Sequence, residues 1–177
     1  MRKPSFFAGK NLVILLLTGL MFYLLWQSRF SETLPEGTRI ERLEFSTLDG
    51  KSFTTDEINM PILLVFFNTK SFLTSNIYPN LFLRTMPELA KLEELGYLHI
   101  IILTDMEQNE ENVKKLLLKK KYKILENRIF LGNTKRMSEY FGVGSWPHSF
   151  LLDKDKTIIH QDKVPSAERI LGILKGV

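Results

Sequence analysis

Two hydroxyl side chains, Ser71 and Thr74, lie three residues apart in the stretch NTKSFLTSN, residues 68–76. The apolar run before them, ILLVFF at 62–67, predicts a buried strand. Both hydroxyls would then lie where that strand ends and a helix begins. Serine and threonine in such places accept hydrogen bonds from the free backbone N–H groups of the first helical turn. We expect this structural role for both residues.

A catalytic role for Ser71 would need an activating base. The chain contains three histidines, His99, His148 and His160. A pair of Ser71 and His148 would also require an orienting carboxylate and an oxyanion hole, and no motif supplies either. The histidine spacing matches no zinc-ligand pattern, and no glycine-rich phosphate loop precedes a helix. We therefore expect no catalytic residue, no metal and no cofactor.

Composition excludes further classes of function. The chain has 177 residues and no cysteine, so every reaction through a thiolate of its own is excluded. A content of 44% hydrophobic and 25% charged residues is typical of a folding chain. The net charge of +4 is mildly basic and is not gathered with aromatic residues, so we expect no nucleic-acid binding. The lysine-rich run KKLLLKKKYK at 114–123 indicates a solvated helix face, or attraction to anionic lipid.

The stretch NLVILLLTGLMFYLLW at 11–26 carries no charge. As a helix it would be about 24 Å long, slightly short for a bilayer core of about 30 Å. Arg2, Lys3 and Lys10 precede it and Arg29 follows, which favours a cytoplasmic N-terminus. A cleaved signal peptide and a buried soluble helix are the alternatives, although no small-x-small cleavage site follows Trp26.

These observations predict a single-pass protein of the cell membrane, attached to the lipid bilayer through residues 11–26. Its globular part would be extracytoplasmic. The predicted regions are a cytoplasmic N-terminus at 1–10, an anchor at 11–26, a linker at 27–38 and one domain at 39–177.

Strand and helix patterns alternate along the predicted domain. A hairpin turns at Asp49-Gly50, and buried strands follow at 62–67 and 97–104. Between them, Thr85 to Glu88 matches a helix-start box, and Gly96 ends that helix. Later elements are a helix at 110–122, a short strand NRIFL at 127–131, a helix at 134–142, strands at 148–153 and 157–161, and a helix capped by Ser166. The order predicts an α/β fold: a central mixed sheet with helices on both faces.

This order and four motifs resemble the thioredoxin superfamily, and within it the membrane-anchored TlpA/ResA type. The motifs are FSTLDGKSF (45–53), ILLVFFNTK (62–70), MPELAKL (86–92) and YFGVGSWPHSFLLDKD (140–155). The resemblance covers roughly residues 40–177. It implies a thioredoxin-like fold behind one N-terminal anchor, and an extracytoplasmic domain that reduces or exchanges disulfides, often during cytochrome c maturation.

The chain departs from that family at the redox site. The resemblance places Ser71 and Thr74 at the two positions of the Cys-x-x-Cys pair, and a serine hydroxyl cannot form a mixed disulfide. About eight further residues, near NIYPNLFL, then intervene. Pro147 matches the family's cis-proline, which faces the active site and exposes backbone to an extended substrate. The resemblance thus implies a partner groove, with the residues Trp146, Pro147, His148, Tyr78 and Phe82.

The 75–85 segment has two interpretations, a binding lip beside the groove or an added layer of core. The leading functional hypothesis is an anchored thioredoxin-like protein that binds an extracytoplasmic protein or peptide without thiol-disulfide activity of its own. A rival hypothesis is an oxidoreductase that either uses chemistry without cysteine or works as a subunit with a cysteine-bearing partner. Its role would be disulfide exchange, cytochrome c maturation or antioxidant defence. A purely structural component of a membrane complex is the third.

Overall fold

The computed structural model describes residues 14, 16–21, 33–67, 77–104 and 110–176. Its central sheet has four strands, β3 (Ile62–Phe67), β4 (His99–Thr104), β5 (His148–Leu152) and β6 (Ile158–Asp162), in the order β4-β3-β5-β6. Strands β3 and β4 are parallel, and β5 is antiparallel to both β3 and β6. A separate hairpin pairs β1 (Glu44–Ser46) with β2 (Ser52–Thr54). The fold is the predicted mixed α/β arrangement.

Four α-helices surround the sheet: α1 (Ile77–Glu94), α2 (Glu110–Leu117), α3 (Thr134–Tyr140) and α4 (Ala167–Lys175). The described part of the domain also contains two 3-10 helices, Thr55–Glu57 and Lys120–Leu125. After α1, Gly96 adopts a φ of 75°, which favours glycine, and its N–H bonds the carbonyl of Glu93. Ser166 accepts a hydrogen bond from the N–H of Arg169 at the start of α4. Both predicted helix boundaries are confirmed.

Side chains of β3 alternate between two core layers, and all six of its residues are buried. Leu63, Val65 and Phe67 contact the layer that contains α1, α2 and α4. The other three side chains contact the layer formed by α3, the β1–β2 hairpin and the chain around Ile40. A strand covered on both faces reads as a continuous apolar run, which is why the sequence identified it.

The start predicted for the helix before Gly96 is wrong. Thr85 lies inside α1, and its hydroxyl donates to the carbonyl of Phe82 at 2.8 Å. The helix already includes Ile77, so most of the NIYPNLFL stretch forms its first turns. Thr85 satisfies its hydroxyl within the helix, and Pro87 is tolerated there despite its missing N–H.

Two later elements also differ from the prediction. Residues 127–131 form isolated bridges, Ile129 with Ile102 and Leu131 with Ser46, rather than a strand. The lysine-rich helix predicted over 110–122 ends at Leu117, and a 3-10 helix follows from Lys120. Tyr122 and Leu125 of that 3-10 helix are buried, so core packing of these two side chains overrides the helical charge pattern.

Within the predicted anchor, the structure describes residues 14 and 16–21, which are helical, and five large apolar side chains there are more than half exposed. None of the helices in the described ranges is both long and apolar enough to cross a bilayer.

Residues 33–38, assigned from sequence to the linker, are held against the domain. The N–H of Leu34 donates to the carbonyl of Phe141 at 3.1 Å, and the N–H of Gly37 donates to the carbonyl of Ile158 at 2.7 Å. Leu34 also packs against the second core layer. The packed structure therefore extends towards the N-terminus at least to Leu34.

Candidate functional site

The peptide bond between Trp146 and Pro147 is cis, as the resemblance implied. It immediately precedes β5, whose first residue, His148, lies opposite Phe66 near the carboxyl end of β3. The half-buried indole of Trp146 contacts Phe66 edge to face, with ring centroids 5.7 Å apart and an interplanar angle of 76°. This aromatic contact fixes the side chain on the core.

The backbone of Trp146 lies next to the sheet, just before β5 begins. Among the residues described, neither its N–H nor its C=O takes part in a hydrogen bond. The neighbouring residues Gly144 and Ser145 are exposed, whereas Pro147 is buried. A backbone donor and acceptor next to the sheet can pair with an extended chain in the manner of a β-strand. Such pairing requires no particular side chain on the ligand.

His148 is half-buried beside this backbone. Its Nε2 lies 3.3 Å from Oε1 of Gln161, and Nε2 of Gln161 lies 3.5 Å from the carbonyl oxygen of Leu34. The Gln161 amide must donate to Leu34, so its oxygen faces His148 and the imidazole Nε2–H is the donor. Burial lowers the pKa of His148 and the positive charge of Lys163 adds to this, while the Gln161 hydrogen bond and Asp162 oppose it.

The hydrogen bonding of His148 gives no indication of a catalytic base. Its Nε2 is engaged by an amide. Ser71 and Thr74 lie outside the described residues, so their expected position at the start of a helix stays a prediction. Tyr78 lies in the first turn of α1. In the described ranges, no group of three or more His, Asp or Glu side chains is arranged so that it could hold a metal ion.

Phe82, predicted at the groove, belongs instead to the core. Its side chain is fully buried, with its ring centroid 5.3 Å from that of Phe67. The positions of Phe82, Met86 and Leu89 recur at helical spacing, so this face of α1 points to the sheet. Among residues 80–85, whose side chains the structure describes, Leu81 is the one large apolar side chain that is exposed, at 37%. The core-layer interpretation therefore holds for Phe82.

A polar cluster that the sequence did not predict lies at the opposite end of β4. Glu93 accepts hydrogen bonds from Nε of Arg128 at 2.6 Å and from the N–H of Ile100 at 2.8 Å, and His99 Nδ1 lies 3.4 Å away. Burial raises the pKa of Glu93, but these three donors together outweigh it and hold the pKa below its usual value. The cluster joins α1, β4 and the segment before Ile129, which indicates a structural role.

Comparison with known proteins finds the fold but no sequence relative. No family model matches the chain, and no curated protein matches it. Similar solved structures include a thiol:disulfide interchange protein from Bacteroides sp., with 16% identity and a TM-score of 0.60 over 80% of this chain and 90% of that one.

Two further structures are similar. The exposed lipoprotein thioredoxin Etrx1 from Streptococcus pneumoniae has 19% identity and a TM-score of 0.56, over 77% of this chain and 100% of that one. The thiol peroxidase from Chromobacterium violaceum has 13% identity and a TM-score of 0.55, over 83% and 89%. At such identities the likeness concerns architecture alone. The chain therefore has a thioredoxin-like α/β fold, with a mixed central sheet flanked by helices.

Proposed function

We propose that this chain is a thioredoxin-like binding protein that holds an extended segment of another protein at the Trp146–Pro147 edge and performs no thiol-disulfide exchange of its own. The observation that carries the proposal is the backbone of Trp146, which has no hydrogen-bond partner among the described residues and lies next to the sheet in a chain without cysteine. Exchange requires an attacking thiolate, and this chain has none. Recognition through backbone pairing does not depend on a thiol.

We also propose that the domain lies outside the cytoplasm. Uncharged residues 11–26, the excess of basic residues before them and the exposed apolar side chains of helical residues 14 and 16–21 support a membrane anchor. A reporter enzyme that works only outside the cytoplasm should be active when it is fused after Val177. The fusion protein should keep the full mass of the uncleaved chain. A processed chain released into the medium would contradict the anchor.

The competing proposal is a redox subunit whose cysteine comes from a partner, favoured by the thiol chemistry named for the similar structures. The two differ in what a bound segment must contain. A redox subunit would prefer partners presenting a disulfide or thiol next to the groove, whereas backbone recognition would not.

The test uses the full chain with Trp26→Phe, which leaves Trp146 as its only tryptophan. Its fluorescence then reports on the groove while a library of extended peptides is titrated. We expect saturable spectral shifts with cysteine-free peptides, equal shifts when cysteine is replaced by serine, and no insulin reduction. Binding that is lost with every cysteine-to-serine replacement would favour the redox subunit. An unchanged spectrum with all peptides would overturn the binding proposal.

A further inference from the structure

The position at which the N-terminal segment joins the domain determines which end of the sheet faces its anchor. Residues 33–40 run antiparallel along β6. Ile40 bonds the carbonyl of Lys156 at 2.9 Å, whereas Leu34, further towards the N-terminus, lies at Gln161. Glu36 lies between these levels, with its carboxylate 3.2 Å from Nδ1 of His160. The chain therefore enters the domain at the carboxyl end of β6.

That end of β6 is also the end of the sheet that carries the cis-proline. Asp162 lies opposite Ser149 in the antiparallel β5–β6 pair, so the last residues of β6 lie beside the first residues of β5. Gln161 connects the two sites directly, since its side chain contacts both the carbonyl of Leu34 and the ring of His148. The hairpin turn at Asp155 lies at the far end of both strands.

The tether is short. Only residues 27–32 separate the predicted anchor from the packed segment, and six residues at about 3.5 Å each reach at most ~21 Å. A domain held by so short a connection at one end cannot freely turn that end away from the bilayer. Residues 33–38 of the predicted linker pack along β6, so they add no length to the connection.

We propose that the Trp146–Pro147 edge faces the membrane surface, and that its partner is an extended segment of an integral membrane protein lying just outside the bilayer. This inference rests on the proposed function and names its class of partner. A membrane-embedded partner is confined to the same surface, so its local concentration at the groove is high. A soluble protein would need to enter the gap between domain and lipid.

Orientation can be measured because the chain has no cysteine to compete for labels. Full-length Ser145→Cys and Asp155→Cys, both at exposed positions, would each carry a donor dye in vesicles whose lipid headgroups carry the acceptor. We expect energy transfer about twofold stronger from position 145, because β5 separates the two ends by roughly 17 Å. Equal transfer, or stronger transfer from 155, would overturn the inference while leaving peptide binding intact. Failure of the chain to float with vesicles would overturn both this inference and the anchor.

The partner class is tested by a photoreactive benzoylphenylalanine at position 145, in cells expressing the full chain. Cross-linked peptides should map to integral membrane proteins, within about six residues of a membrane span, because six extended residues match the ~21 Å reach of the tether. A matched chain with twenty Gly/Ser residues inserted after Ser31 should give severalfold fewer of these products, because a longer tether dilutes the groove at the surface. Products mapping to soluble proteins or to residues 27–32 of the chain itself, or a yield unaffected by the insertion, would overturn the proposal.

Discussion

Trp146 and Phe66 meet edge to face, with their ring centroids 5.7 Å apart. Phe66 is fully buried and lies opposite His148 in the β3–β5 pair. The indole is thus attached to the core, while the backbone of the same residue has no hydrogen-bond partner within the described ranges. In the proposed function, the side chain of Trp146 positions the edge and its backbone pairs with the ligand.

Replacing the indole separates stability from binding. Trp146→Ala should lower the free energy of unfolding by about 1–3 kcal/mol, less than for a fully buried tryptophan because the ring is only half-buried. Trp146→Phe retains an aromatic contact with Phe66 and should lose less than half as much. Urea titration of both variants measures the difference. Equal losses would show that the edge-to-face contact contributes little.

The state of His148 gives a second prediction. Burial lowers the pKa of this base, so the folded protein takes up its proton less readily than the unfolded chain. The contribution of His148 to the free energy of unfolding is therefore fully present above the unfolded pKa of about 6.5. It declines as the pH falls below that value. An NMR titration of the imidazole should give a midpoint below 6.5. His148→Gln should remove this part of the pH dependence, and a midpoint at or above 6.5 would refute the assignment.

Glu93 gives the third prediction. Its hydrogen bonds with Arg128 and Ile100 would lose their charge in Glu93→Gln, at a cost of about 1–3 kcal/mol near neutral pH. The pKa of Glu93 is lowered, so its stabilisation is present above the unfolded pKa of about 4.3 and is lost as pH falls through the folded value. Wild type and variant should therefore converge in acid. Glu88→Gln, at an exposed position on the same helix, is the matched control and should change stability by less than about 0.5 kcal/mol.

The fold was more predictable than the site. The buried strands, Gly96 and the cap at Ser166 depend on local patterns of burial or backbone geometry, which sequence records directly. Whether Phe82 lies at the groove or in the core depended on where α1 begins. Thr85 matched the sequence pattern of a helix start but lies inside α1. The pairing of Glu93 with Arg128 spans 35 positions and leaves no local signal.

The hydroxyl pair supplies the fourth prediction. If Ser71 and Thr74 occupy the family's cysteine positions at the start of a helix, Ser71→Cys with Thr74→Cys would bring two thiols within the ~7 Å between Cα atoms that a disulfide requires. Mild oxidation should form an internal bond that dithiothreitol reduces, whereas Ser71→Cys alone should form none. Mass spectrometry after alkylation measures the outcome. Two free thiols in the oxidised double variant would mean that residues 68–76 do not follow the redox helix.

The most direct measurement of the central claim is hydrogen exchange at the amide of Trp146. In the free protein this N–H has no acceptor among the described residues, so it should exchange quickly. Saturation with a bound cysteine-free peptide should slow its exchange by at least about tenfold, the effect of a protecting free energy near 1.4 kcal/mol. The amide of Ile102, already bonded to the carbonyl of Arg128, serves as the internal reference and should not change. A peptide that binds while the Trp146 amide exchanges as fast as before would contradict backbone pairing at this edge.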